Sequence, residues 1–339
     1  MTSATPTGPA TVPPPTHLQR ETLRRKLAEA GCFEPTPAAH AAYIATILAL
    51  GAGGYACLLF EPEWPLRALL LTVVAGAGVQ AGFIAHEVSH GAVTRQPRRA
   101  RWLQYLLFTV VSGVSGSYFR HIHRIHHRHL NEPDGSANRH PPTLSLQRGS
   151  ALDRAIRSAR LGRILLLVCG KTVAYRLDSL GYVLRRRSLP PGEWVALALH
   201  AIVSFVLPSV AIGVGDAVAN YLLIALIAGP YVGTVLMLSH VGMATFGPAS
   251  RLPFVTRQVL ATRNLGDSLL LSLLAGGANH HIEHHLFPTI SVFRLRRARR
   301  ITRDFCRTHG LPYRVSSLTS AIRSVVARVR TPPTTLPAS

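Results

Sequence analysis

Four long apolar runs dominate this 339-residue chain and dictate where it can fold. Crossing the hydrocarbon core of a bilayer takes about 20 predominantly apolar residues. Ala41–Phe60 supplies twenty without a charge, and Ala68–Ala85 supplies eighteen, interrupted only by Gln80. Trp194–Val214 and Ala217–Ser239 supply two more. Charged residues are only 15% of the chain, and the mean hydropathy is positive. The runs pair into two hairpins, turning at Glu61–Pro65 and Gly213–Asp216, and both turns are short and acidic. Trp102–Ser117 and Ile164–Gly170 are apolar but too short to span, so they read as buried or interfacial segments.

The basic residues set the orientation. Of 37 Lys and Arg, only Arg67 lies near the two acidic turns. Loops rich in Lys and Arg stay on the cytoplasmic side. Both termini and the long central segment are therefore expected in the cytoplasm. The formal net charge of +22 follows this topology and suits contact with anionic headgroups. No recognised nucleic-acid module accompanies it, so nucleic acid is not an expected partner. The expected fold is all-α: an integral membrane protein with four transmembrane helices, at about 41–60, 68–90, 194–214 and 217–240. A cytoplasmic helical cap from 91–193 and 241–330 completes the domain at 38–330. Residues 1–37 read as a disordered, basic N-terminal segment without the apolar core of a signal peptide, and 331–339 as a disordered tail. Cys32, Cys57, Cys169 and Cys306 are scattered without ligand spacing.

Seventeen histidines are distributed unevenly over this frame, and eight fall into three clusters. These are His86 and His90, then His123, His126 and His127, then His281, His284 and His285. Residues three and four apart share a helix face, so each cluster aims at least two imidazoles at one point. Eight nitrogens exceed the four that one zinc takes and suit two metal ions held close together. All three clusters fall on the expected cytoplasmic side. Neighbouring histidines differ by about 100° around a helix. One of an adjacent pair can thus join the leading histidine while the other reaches a second ion. His240, ending the last span, is a ninth candidate ligand.

Of the remaining histidines, His121, His129 and His280 flank the clusters as supporting or solvated groups. His200 reads as hydrogen-bonded inside the bundle. His17, His40, His140 and His309 carry no functional expectation. Glu87, Asp134, Asp267 and Glu283 lie near the clusters, and acids of this kind commonly accept the spare N–H of a ligating imidazole. Leu318, Ile322, Val325, Val326 and Val329 recur at helical spacing behind Ser316 and Ser317, which reads as an amphipathic surface helix.

At the histidines the chain resembles the membrane fatty acid desaturases, specifically the acyl-lipid and front-end branch. The boxes HxxxH, HxxHH and HxxHH occur in order, and Asn279–Pro288 resembles that branch's third box, (Q/H)IEHHLFP. His126–Asn131 resembles HHAHPN, and Gln258–Asn264 resembles a TTRN-type run. Asn131 and Asn264 join the candidate supporting residues on this basis. Position 281 is His where many front-end members have Gln, and Ser239 stands where relatives often have Asn. The resemblance implies two iron ions as cofactors, O2 as co-substrate, and a C=C bond introduced into an acyl chain. It implies His86, His90, His123, His126, His127, His281, His284 and His285 as ligands, with His240 beside them. No cytochrome b5-like HPGG motif is present, so a separate electron donor of ferredoxin or reductase type is expected, docking on the Arg294–Arg300 face. A narrow apolar tunnel is expected, with Gly82, Phe83, Gly113 and Gly116 as candidate lining. The same site in a hydroxylase or acetylenase is the near alternative. From other classes, a histidine-lined metal transporter expects ligands near mid-membrane, and a zinc hydrolase leaves half the histidines unused.

Overall fold

A computed structural model of the chain describes residues 17–131, 170–186, 189–246, 250, 252–330 and 335–336. Among the described residues the fold is helical, apart from Thr245–Phe246 pairing in parallel with Thr335–Leu336 and a bridge between Asn264 and Val315. Asp134, His140, Cys169 and nearly all of the Ile164–Gly170 run lie outside the described residues.

Two apolar helices stand side by side: α2, Pro37–Leu58, and α3, Trp64–Ser89. Each opens on a proline in its first turn, where the missing N–H would have no intrahelical partner. A third apolar stretch runs Pro191–Leu238 over 48 residues. Straight, it would measure about 72 Å, more than twice the hydrocarbon core. It is not straight. Gly213 holds φ 81° and ψ 157°, outside the helical region. The Tyr221 hydroxyl lies 3.3 Å from His200 Nε2, and the Phe205 and Tyr221 rings are 4.4 Å apart at their centroids. Contacts between residues so far apart in sequence require the chain to fold back, and Gly213 supplies the conformation other residues resist. The stretch is therefore three pieces: α7 (Pro191–Ala201), a wider π-type segment (Ile202–Val206) and α8 (Leu207–Leu238). Among the described residues, three helical stretches are long and apolar enough to cross a membrane, and the third doubles back at the expected hairpin turn.

Around these pack shorter helices. They are α1 (His17–Glu29), α4 (Pro97–Gln104), α5 (Gly116–Arg128), α6 (Lys171–Arg185), α9 (Phe254–Ala261), α10 (Leu269–Leu274), α11 (His281–Leu286), α12 (Val292–Thr308) and α13 (Leu318–Arg330). The Trp102–Ser117 run begins in α4 and continues as a π-type segment in which Tyr105, Leu107 and Phe108 are buried. Part of the N-terminal segment expected to be disordered is the helix α1. Its Leu23 and Leu27, four apart, are fully buried against Val259, Ile282 and Leu286. Two buried leucines on one face are enough to dock a short helix, although its mean composition is polar. On α13 the buried face is Ala321 and Val325, packed against Leu238 and Leu265, while Leu318 and Ile322 of the expected apolar face are exposed.

Candidate metal centre

Each histidine cluster is positioned by a helix end. His86 closes the last turn of α3, and His90 caps it. The helix α5 carries His123, His126 and His127, and its start is fixed by a buried carboxylate. Ser115 caps the helix by accepting from the Tyr118 N–H at 3.0 Å. Glu193, fully buried at the start of α7, accepts from the Ser117 N–H at 2.9 Å and from both serine hydroxyls, of Ser115 and Ser117. A carboxylate at a helix N-terminus is favoured by the unpaired N–H groups there. Glu193 escaped the sequence reading, although a single acid at the mouth of an apolar run was a usable signal. His281, His284 and His285 sit on α11, all six residues of which are buried. The chain enters α11 through Gly276 and Gly277, both with positive φ. A Cβ on Gly276 would collide with the Phe83 side chain, so only glycine fits this close approach.

The nine histidines fall into two groups. His86, His90, His123, His127 and His284 form one, and His126, His240, His281 and His285 the other. Within each group one nitrogen per ring lies within 4.8 Å of all the others. The adjacent pairs divide between the groups. His127 joins His123 while His126 crosses over, and His285 joins His281 while His284 crosses over. This is the division that a 100° step between neighbours permits. The rings of His127 and His285 approach to 4.4 Å at their centroids, so the groups abut.

The donor set fits metal ions. His123 Nε2 lies 2.7 Å from His90 Nε2 and 2.9 Å from His127 Nε2. His281 Nε2 lies 2.7 Å from His240 Nε2 and 3.1 Å from His285 Nε2. Each imidazole nitrogen has one proton or one lone pair, so three converging nitrogens leave their mutual hydrogen bonding incomplete. Two nitrogens each about 2.1 Å from one ion and at right angles are about 3 Å apart, as these are. Burial, together with the neighbouring imidazoles, pushes His123, His127, His284 and His285 well below the usual histidine range, and His281 to about 3. The rings are then neutral at pH 7, the state in which imidazole binds a metal.

The candidate supporting residues among the described ones make the following hydrogen bonds. Glu87 is buried and accepts from His40 Nε2 at 2.8 Å and from the Val292 N–H at 2.7 Å. Asp267 pairs with Arg296 at 3.1 Å. Asn131 adopts φ 53° and donates to the carbonyls of Ala244 and Ala261, both at 3.0 Å. Asn264 accepts from the Ile282 N–H and donates to Glu283 at 2.7 Å, holding the start of α11. His280 is buried against Ser272 rather than solvated, and burial lowers it to about 4. His200 donates from Nδ1 to the Val110 carbonyl at 2.8 Å, inside the bundle as expected.

Glu283 accepts from Asn264 and from the Tyr313 hydroxyl, each at 2.7 Å, yet burial still raises it from 4.5 to about 7. The folded chain therefore holds this proton more tightly than the unfolded chain. Its contribution to stability is fully present below about pH 4.5 and is lost as pH rises through about 7. Urea denaturation of the metal-free protein should show this fall, and Glu283→Gln should flatten it. An unchanged slope in that variant would assign the pH dependence to other groups.

A cavity of about 480 Å³ opens from the histidines. His86, His123, His126 and His240 line it at the metal end. Ile47, Val74, Phe108 and Ile224 continue it between α2, α3, α8 and the segment after α4. Its size is that of a small-molecule site. Gly82 and Phe83 line it as expected, whereas Gly113 and Gly116 do not. Gly113, at φ +67°, instead backs onto the His200 ring.

The family model described as fatty acid desaturase matches residues 62–317. The chain is 22% identical over 326 residues to Fatty acid desaturase 3 of Bos taurus, covering 91% of this chain and 71% of that protein. It is 26% identical over 330 residues to an acyl-lipid (8-3)-desaturase of Thraustochytrium, covering 91% and 72%. It is 23% identical over 276 residues to a delta 8-(E)-sphingolipid desaturase of Emericella nidulans, covering 74% of this chain and about half (51%) of that protein.

Proposed function

The chain belongs to the fatty acid desaturase family, and from that premise we propose that it is an O2-dependent di-iron desaturase introducing a C=C bond into an acyl chain. One observation carries the reading: two all-imidazole groups share the adjacent histidine pairs and close one end of an apolar cavity. His86, His90, His123, His127 and His284 would hold one iron, and His126, His240, His281 and His285 the other. With O2 and two electrons the irons would supply an oxidant for unactivated C–H bonds, chemistry beyond any side chain.

The protein's own part is placement and exclusion. The cavity walls hold the acyl chain extended against the histidines. The buried α11 and the layer of α12 above it keep bulk water away. Two neighbouring methylenes each give up one hydrogen. With two external electrons and two protons, these leave as two waters formed from one O2. A separate donor of ferredoxin or reductase type supplies the electrons.

The proposed topology is four spans, the last two being the arms that reverse at Gly213, with both termini and the site on the cytoplasmic side. The ligands then lie at the span ends, the arrangement of a membrane-surface enzyme rather than of a transporter lined at mid-membrane. Elemental analysis of detergent-purified protein tests the metal assignment, and about two irons per chain are expected. About one zinc and no iron, from cells grown with iron, would sink the di-iron reading. Lipid analysis of cells expressing the chain then identifies the unsaturated product, or a hydroxylated one.

A further inference from the structure

The short helix α10 is built inside out. Its Leu269, Leu270 and Leu274 are 63%, 67% and 49% exposed, while Ser272 is buried. The Ser272 hydroxyl accepts from Asn279 Nδ2 at 3.0 Å and lies 3.2 Å from His280 Nε2. A helix on the water-facing surface of a protein turns its apolar face to the core. This one turns its hydroxyl inward and its leucines outward, and an exposed apolar patch of this kind marks a contact surface.

The depth of α10 is set by a polar knot among the spans. Gln80 is the residue that interrupts the second apolar run. Its Oε1 accepts from the Tyr43 hydroxyl of α2 at 2.5 Å. Its Nε2 donates to the Tyr231 hydroxyl of α8 at 2.5 Å and to the Leu274 carbonyl at 3.3 Å. Tyr231 donates to the same carbonyl at 2.6 Å. Leu274 ends α10, so its carbonyl is one of those a helix leaves without an internal partner. Gln80 lies five residues before Ala85 and Tyr231 eight before Ser239, where their apolar runs end. These offsets are about 8 Å and 12 Å along a helix. With α3 and α8 crossing the bilayer as proposed, the end of α10 sits in the cytoplasmic half of a hydrocarbon core about 30 Å thick.

The chain goes down and comes back. Just ahead of α10, Asp267 pairs with Arg296 of α12 at 3.1 Å. Just after it, Gly276 and Gly277 turn the chain toward His281, both with positive φ. Ala275, Gly276, Gly277 and Ala278 line the cavity. Non-helical backbone is tolerated at membrane depth where it lines a cavity or is buried in protein, and this turn meets that condition.

We propose that Leu269–Leu274 is a re-entrant element of the cytoplasmic leaflet, its exposed leucines packed against the acyl chains of bilayer lipid and its end anchored by Gln80 and Tyr231. The inference rests on the four-span reading and goes beyond it, because part of the cap expected in the cytoplasm then lies in lipid. The neighbouring α13 continues the same surface. Its Ala321 and Val325 share a core with Leu271 of α10, and its Leu318 and Ile322 are exposed. Lipid on one side and the cavity on the other are separated here by one short helix and its turn.

The test places one fluorophore at a time on the full-length chain in phosphatidylcholine nanodiscs, where both membrane faces meet the solution. Cys32, Cys57, Cys169 and Cys306 are first replaced with alanine. Leu270→Cys, Leu222→Cys and Arg300→Cys are then labelled separately with a nitrobenzoxadiazole maleimide. Leu222, exposed on α8, reports a span, and Arg300, exposed on α12, reports the cytoplasmic surface. Lipid with a doxyl group on its acyl chain should abolish the fluorescence at positions 270 and 222, while iodide leaves both bright. At position 300 the two quenchers should change places, and this contrast also reports that the cysteine-free chain is folded. Adding Gln80→Leu and Tyr231→Phe removes both side-chain donors to the Leu274 carbonyl. An unpaired carbonyl is costly in hydrocarbon, so iodide should then reach the probe at 270. Iodide quenching at 270 with 222 still shielded, before those two changes, overturns the proposal and leaves the four-span reading intact. Iodide quenching at both positions overturns the two together. A probe at 270 that stays shielded after Gln80→Leu and Tyr231→Phe overturns the anchoring role given to that pair.

Discussion

Replacing either His127 or His285 with alanine is expected to lower turnover at least about 100-fold while the protein still inserts and folds. The two residues belong to different groups, and that makes the pair informative. Loss of an outer partner of a metal ligand already costs about 10–100-fold in affinity or activity, and removing the ligand itself should exceed that. Each substitution should take metal content from about two ions per chain toward one, because the other group keeps its nitrogens. His127→Ala leaves His126, His240, His281 and His285 together, and His285→Ala leaves His86, His90, His123, His127 and His284 together. Elemental analysis and turnover of the same purified samples check this. Two ions and full turnover in both variants would remove these histidines from the metal centre. Folding should survive because neutral imidazoles with incompletely satisfied Nε2 atoms gain little from one another without metal. The Nδ1 atoms of His281 and His285 are also buried without partners, so truncation removes polar groups whose burial is unfavourable.

The sequence revealed most where the requirement was local. Hydrophobic run length located α2, α3 and the doubled-back third stretch, because a bilayer demands one apolar length from any helix. The i, i+3 and i+4 spacing located the histidine boxes, because those residues share a face whatever surrounds them. What stayed hidden depends on contacts distant in the chain. His40 and Glu87 are 47 residues apart, and Glu87 and Val292 are 205 apart. Nothing near His40 marks it, which is why proximity to His86 suggested a different partner for Glu87. Glu193 meets Ser115 and Ser117 across more than seventy residues in the same way. Asp267 and Glu283, also chosen for nearness in sequence, turn toward Arg296 and toward Asn264 with Tyr313. Helix α1 was obscured for another reason. Only two of its side chains need to dock, and a composition average over a basic segment does not register two leucines.

His40→Ala is expected to destabilise the protein by about 1–3 kcal/mol, the cost of leaving a buried polar group without its hydrogen-bond partner. The His40 and Glu87 side chains are 2% and 9% exposed, so water cannot take the place of the lost partner. Glu87 also accepts the Val292 N–H, one of the unpaired donors at the start of α12. His40 in turn bonds through Nδ1 to Thr36, at 3.1 Å to its hydroxyl and 3.0 Å to its carbonyl. This one carboxylate therefore ties α2, the end of α3 and the start of α12 together, next to His86. Glu87→Gln should cost less than His40→Ala, because the amide oxygen still accepts from one of the two donors. In the double variant the stranded carboxylate is gone, so it should be more stable than His40→Ala alone. Denaturation of the four proteins in one detergent gives the coupling energy directly. Coupling near zero, with His40→Ala costing under about 1 kcal/mol, would show that the His40–Glu87 hydrogen bond contributes nothing to stability. A large coupling should bring a second effect. With α3 no longer held against α12, His86 loses its fixed position, so the group containing His86 should bind metal more weakly than the group containing His281.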